Sequence, residues 1–144
     1  MYKQIFLCAF SFSMLLASAS FAEHVVWEGQ LAADGTPSPV VDLKLNKTYE
    51  IVVSGSVNLG KWVEAGKPLA QDASYEYNAP SGPTKAKTFR NSSDIPLNDS
   101  AFNPTHVYRS EPFVAKQNKI HFWIQDADYS DNTGNLTVKV QQLN

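Results

Sequence analysis

The chain has 144 residues, a formal net charge of −2, one cysteine and an apolar fraction of 43%. It carries no basic cluster of the kind nucleic acid binds and no apolar run long enough to span a bilayer. Neither a nucleic-acid partner nor a membrane anchor is therefore expected.

The first segment reads as a targeting sequence rather than as fold. Lys3 supplies a positive start, Ile5 to Leu16 is an apolar run broken only by small residues, and Ser20-Phe21-Ala22 is a small-x-small cleavage site. Residues 1–22 are expected to be removed and residues 23–144 to form one exported domain, secreted or periplasmic. Without Lys3 the domain holds 11 basic against 14 acidic residues, a net charge of −3. Cys8 leaves with the signal, so no disulfide can staple the domain.

Along the remaining chain, period-two alternation recurs between turn clusters and helix signals are almost absent. Val25 to Leu31 opens as a strand, and Ala33-Asp34-Gly35-Thr36-Pro37 turns it. Val41, Leu43 and Leu45 alternate with Asp42 and Lys44, then Tyr49, Ile51 and Val53 share one face of the next strand. From Ser54 to Pro83 the pattern dissolves into Gly, Pro, Asn, Ser and aromatic residues, a length that is unusual without a functional reason. Thr84 to Arg90 resumes as an alternating polar strand, and Glu111 to Ala115 reads as an edge strand because Pro112 has no N–H for a central ladder. Lys119 to Ile124 and Leu136 to Val140 are the clearest strands, with Trp123 facing away from Ile120, Phe122 and Ile124. The expectation is an all-β fold, a single antiparallel β-sandwich of about seven or eight strands.

Between those last two strands lies Gln125-Asp126-Ala127-Asp128-Tyr129-Ser130-Asp131-Asn132-Thr133-Gly134-Asn135. Asp126, Asp128 and Asp131 carry like charges with nothing basic among them, and such charges repel by several kcal/mol per pair near a protein surface. Carboxylate, amide and carbonyl oxygens suit Ca2+, which accepts about six to eight of them in tolerant geometry. The bland alternative is a solvated turn, since Asp, Asn and Gly all favour turns for local reasons. An EF-hand is excluded: counted from Asp126, the required Gly and Glu are replaced by Asp131 and Thr137.

No catalytic signature competes with this loop. His24, His106 and His121 have no metal spacing, and no serine sits in a Gly-x-Ser-x-Gly elbow. An enzyme is not expected.

The loop and its flanks resemble the last hairpin of the bacterial calcium-dependent galactose-binding lectins of the LecA type. The similarity is carried by Phe122-Trp123-Ile124-Gln125-Asp126, Tyr129, Asp131-Asn132-Thr133-Gly134 and Leu136-Thr137-Val138. Weaker likeness runs through Val26-Trp27-Glu28-Gly29-Gln30-Leu31, Gly55, Leu59-Gly60-Lys61-Trp62 and Asp94-Ile95-Pro96-Leu97. The resemblance implies a lectin in which calcium is held by Asp126, the carbonyl of Asp128, Asp131, Asn132 and the carbonyl of Leu59. It implies a galactose-type mono- or oligosaccharide as partner, coordinated by that calcium beside Asp126, Ala127, Asp131 and Asn132, and a homo-oligomer like the family's. The family's sugar-holding His and Gln fall at Ala70 and Ala73 here, leaving Gln71 and Asp72 as the nearest polar substitutes and Trp62 as an aromatic stacking surface. Two rival readings stand beside this one. In one, the calcium is structural and the domain is an envelope or adhesion module; in the other, an enzyme or accessory site lies in residues 54–83.

Overall fold

A computed structural model describes residues 23–60 and 69–144, and the segment expected to be a signal lies outside them. The fold is all-β, built from antiparallel sheets as a sandwich requires, and no helix forms among the described residues. Nor, therefore, is any helix there long and apolar enough to cross a membrane.

One strand organises the large sheet. β13 (Asn132–Leu143) is the longest, and its positions Leu136, Val138 and Val140 are fully buried while the residues between them are partly exposed. β1 (Glu23–Ala32) lies antiparallel along one edge of it, from Glu23 opposite Leu143 to Ala32 opposite Asn135. The other edge is shared end to end by two strands: β4 (Val57–Leu59) faces Asn132 to Gly134, and β3 (Thr48–Ser54) faces Thr137 to Leu143. Beyond β4 the sheet continues through β5 (Ala70–Gln71), β6 (Tyr75–Glu76) and β7 (Thr84–Lys85). Beyond β3 lie β9 (Val107–Arg109) and β10 (Phe113–Val114).

Two small sheets complete the core. β2 (Val41–Asp42) pairs with β11 (Lys119–Ile120), and β8 (Phe89–Asn91) pairs with β12 (Phe122–Ile124). Ile120, Phe122 and Ile124 are fully buried and belong to the same core as Leu31, Ile51 and Val53 of the large sheet. Phe122 is stacked between Trp27 and Phe89, each at a centroid distance of 5.7 Å. The Trp27 ring crosses its own strand at Gly29, where a Cβ would come within 2.4 Å of it. The apolar alternation that suggests a sandwich is thus used on both sides of one core.

The count of seven or eight strands is corrected upward, because runs that look continuous are broken in space. Thr84 to Arg90 divides into β7 and β8, which pair in different sheets; between them Lys87 takes a φ of +52°. Lys119 to Ile124 divides at His121 into β11 and β12, which serve different partners. Leu45 is exposed, since the Val41 strand ends at Asp42. The aperiodic stretch from Ser54 to Pro83 contains β4, β5 and β6, too short for a period to show. Glu111 to Ala115 does yield an edge strand, β10, which among the described residues pairs only with β3.

Candidate functional site

The acidic loop does not close a hairpin. β12 hydrogen-bonds to β8 and β13 to β1, β3 and β4, so the loop carries the chain from a small sheet to the large one. Its start is anchored by the Gln125 N–H donating to the Thr88 carbonyl at 2.9 Å. Tyr129 then folds back: its hydroxyl donates to the Ile124 carbonyl at 3.3 Å and accepts from the Asp126 N–H at 3.2 Å. The ring lies over Gly35, which has a φ of +81° and where a Cβ would approach the ring to 2.8 Å. The turn after β1 and the acidic loop are therefore fitted to each other.

Two of the three carboxylates turn towards the loop's own backbone. Asp126 Oδ1 accepts from the Ala127 N–H at 2.6 Å, and Asp128 Oδ1 accepts from the Ser130 N–H at 2.9 Å. The Ser130 bond holds the Asp128 carboxyl below the usual carboxylate range. Both are local turn contacts of the kind Asp makes wherever a chain reverses.

Asp131 and Asn132 behave differently. The register places Asn132 opposite Leu59, so the end of β13 meets the end of β4. Gly60 follows at a φ of +90°, and a Cβ there would lie 2.6 and 2.7 Å from the two Asp131 carboxylate oxygens. A side chain at this position would have to displace that carboxylate and would sit at a φ that favours glycine. Asn132 donates through Nδ2 to the Ala33 carbonyl at 2.9 Å. Its Oδ1 is buried and has no hydrogen-bond partner among the described residues. A buried acceptor left unpaired costs about 1–3 kcal/mol, so this oxygen calls for an explanation.

Of the five expected metal ligands, the fold brings Leu59, Asp131 and Asn132 together. Asp126 and Asp128 remain in the same loop, but among the described residues no hydrogen bond links either to Asp131 or Asn132. No group of three or more His, Cys, Asp and Glu side chains converges among the described residues. A ligand set here would rest on one carboxylate, one amide oxygen and backbone carbonyls, a hard-oxygen set that fits Ca2+ and offers Zn2+ nothing. Among the described residues, Asn132 Oδ1 is one of four buried amide oxygens without a hydrogen-bond partner, with those of Asn58, Gln71 and Gln141, and of the four it is the one next in sequence to an acidic residue of the loop, Asp131.

The expected sugar contacts divide. Ala127 and Asp131 are exposed, and Asp126 and Asn132 are partly so. Gln71 and Asp72 are corrected: both point into the protein. Gln71 sits opposite Val57 on the core face, 6% exposed. Asp72 is wholly buried, with Oδ1 accepting from the N–H groups of Ser74 and Tyr75 at 2.8 and 2.7 Å. Its Oδ2 accepts from the Tyr108 hydroxyl at 2.9 Å and lies 3.0 Å from His106 Nδ1. With all these partners, it has nothing left to offer a sugar. Burial first, then the neighbouring Asp72 carboxylate, push the Tyr108 phenol up to about 12. Trp62 lies outside the described residues.

Ala33 and Gly35 escaped sequence reasoning as site residues. The Asp-Gly pair marks a turn, but nothing in the sequence says that this turn meets a loop almost a hundred residues later. Searches among protein families, curated proteins and solved structures gave no match to this chain.

Proposed function

We propose that this protein is an exported carbohydrate-binding protein whose sugar site is built on a calcium held at the junction of β4 and β13. The observation that carries the reading is the buried, unpartnered Asn132 Oδ1 in the residue that follows Asp131, whose own carboxylate packs at Gly60. The sequence resemblance to calcium-dependent galactose-binding lectins supports the ligand class, a galactose-type sugar with vicinal hydroxyls.

Asp131, Asn132 and the Leu59 carbonyl would hold the ion, with Asp126 and the Asp128 carbonyl completing the loop side. When bound, calcium supplies coordination positions for a diol. The chain's own contribution is positional. Gly60 admits the Asp131 carboxylate, the Ala33 carbonyl fixes which way the Asn132 amide points, and the Tyr129 hydroxyl shapes the loop at Asp126. Remaining carboxylate lone pairs can accept hydrogen bonds from the sugar hydroxyls. No group is asked to transfer a proton or attack a bond; the site binds.

Calorimetric titration of galactose into the mature protein tests this, with calcium and after chelation. Heat only with calcium is the expected result. A melting temperature that depends on calcium, with no sugar heat under either condition, would instead make the ion purely structural.

A further inference from the structure

Beside the loop lies a surface feature that the cation site does not use. In the β8–β12 sheet, Phe89, Asn91, Phe122 and Ile124 point inward and are buried, which turns Arg90 and Trp123 to the opposite face. Register sets Arg90 directly across from Trp123. His121 stacks on the Trp123 ring at a centroid distance of 5.5 Å and an interplanar angle of 29°. Trp123 is not among the hydrophobic residues packed on the core, so this pair forms an outward platform.

Arg90 is held in place rather than waving in solvent. Its Nε donates at 2.8 Å to Oε1 of Gln125, the residue immediately before Asp126. That bond fixes the guanidinium plane while its two terminal nitrogens keep their donor capacity. Arg90 is exposed and has no acidic partner in an ion pair among the described residues. It also lines a cleft of about 280 Å³ with Lys87, Asp94 and Asp99, of which Asp99 is paired to Lys85 at 2.8 Å. His121, Trp123 and Gln125 thus form a stripe about 13 Å long that runs from the aromatic pair to the threshold of the loop.

From this geometry we infer that the site takes an anionic oligosaccharide. A neutral galactose-type residue occupies the loop, and a neighbouring sugar lies on Trp123 and His121 with its carboxylate or sulfate on Arg90. The inference rests on the proposed carbohydrate function and deepens it. An aromatic face covers the apolar side of a sugar ring, and a pre-oriented guanidinium grips a carboxylate or sulfate with two parallel hydrogen bonds. The anion is assigned to Arg90 because its guanidinium is the cationic group on this stripe, whereas Asp126 and Asp128 of the loop carry the anion's own sign of charge.

The test compares three probes by calorimetry in calcium: neutral galactobiose, digalacturonic acid and a monosulfated galactobiose. A charge-assisted pair at Arg90 predicts an anionic-over-neutral preference of about tenfold. Arg90→Gln should reduce that ratio to about one, and Trp123→Ala should weaken both anionic probes; a calcium-dependent melting temperature shows that each variant is folded. A preference confined to one anionic probe identifies the group as carboxylate or sulfate and supports the inference. Equal affinity for neutral and anionic probes, or a preference that survives Arg90→Gln, overturns it while leaving the carbohydrate function standing. Anionic binding through Arg90 with no calcium-dependent binding of galactobiose overturns the calcium-centred function instead, and no binding of any probe overturns both.

Discussion

Two places in this protein concentrate carboxylate chemistry, and they differ in what surrounds the oxygens. Around Asp72, a single buried carboxylate meets two backbone N–H groups, a tyrosine hydroxyl and a histidine nitrogen, joining the β5–β6 turn to the His106 turn and β9. Around Asp131, three carboxylates crowd a surface loop, yet a buried amide oxygen goes unpartnered and a glycine keeps space open. Both oxygens of the Asp72 carboxylate have partners, whereas the amide oxygen of Asn132 has none among the described residues. Acid density in a sequence therefore says less about binding than the state of satisfaction of each oxygen in the fold.

The contrast can be broken most severely at its buried end. Asp72→Ala strands His106, the Tyr108 hydroxyl and two N–H groups, and should cost about 3–5 kcal/mol in urea unfolding, equally with calcium and with chelator. A loss that appeared only in calcium would merge the two regions and refute the distinction drawn here. Asp131→Ala should do the reverse. In chelator it removes like-charge repulsion and leaves stability unchanged or slightly raised. In calcium it should lose the ligand-linked gain, about 2.7 kcal/mol when the free ion is about 100 times its Kd. An undiminished calcium shift in this variant would remove Asp131 from the site.

Alkaline pH sharpens the comparison from the side of Tyr108. Its pKa is raised from 10.0 in the unfolded chain to about 12 in the fold. The contribution of the neutral phenol is therefore fully present below pH 10 and lost as pH rises towards 12. Urea midpoints of the wild type should fall through that window more steeply than those of Tyr108→Phe; parallel curves would show that the hub does not discriminate against the phenolate. The smallest expected effect is that of Gly60→Ala. A non-glycine residue at a φ of +90° costs about 1–3 kcal/mol, and the added Cβ displaces the Asp131 carboxylate, so calcium affinity should fall as well. Retained affinity in calorimetry would show that the carboxylate does not depend on that space.

Legibility from sequence followed the range of the interactions. Leu136, Val138 and Val140, like Ile120, Phe122 and Ile124, declare their faces by local alternation, and each is fully buried. Trp123 is legible the same way, as the odd residue between two inward ones. Asp72 misled because polarity marks a residue for water only if it lacks partners inside; Gln71 is buried by its place opposite Val57 although its own Oε1 has no partner among the described residues. The partners of Asp72 come from Ser74 and Tyr75 close by, but also from His106 and Tyr108 more than thirty residues away.

By itself, the sequence determined the all-β class, the inward faces of the main strands and the position of an acidic loop between two of them, because hydrophobic periodicity and turn chemistry act over a few residues. Only the tertiary structure decided that this loop crosses between sheets, that the Asp131 carboxylate packs at Gly60 and the Asn132 amide at Ala33, and that Arg90 stands across from Trp123. Those are matters of register between distant strands, set by how the whole core packs, and no local pattern encodes them.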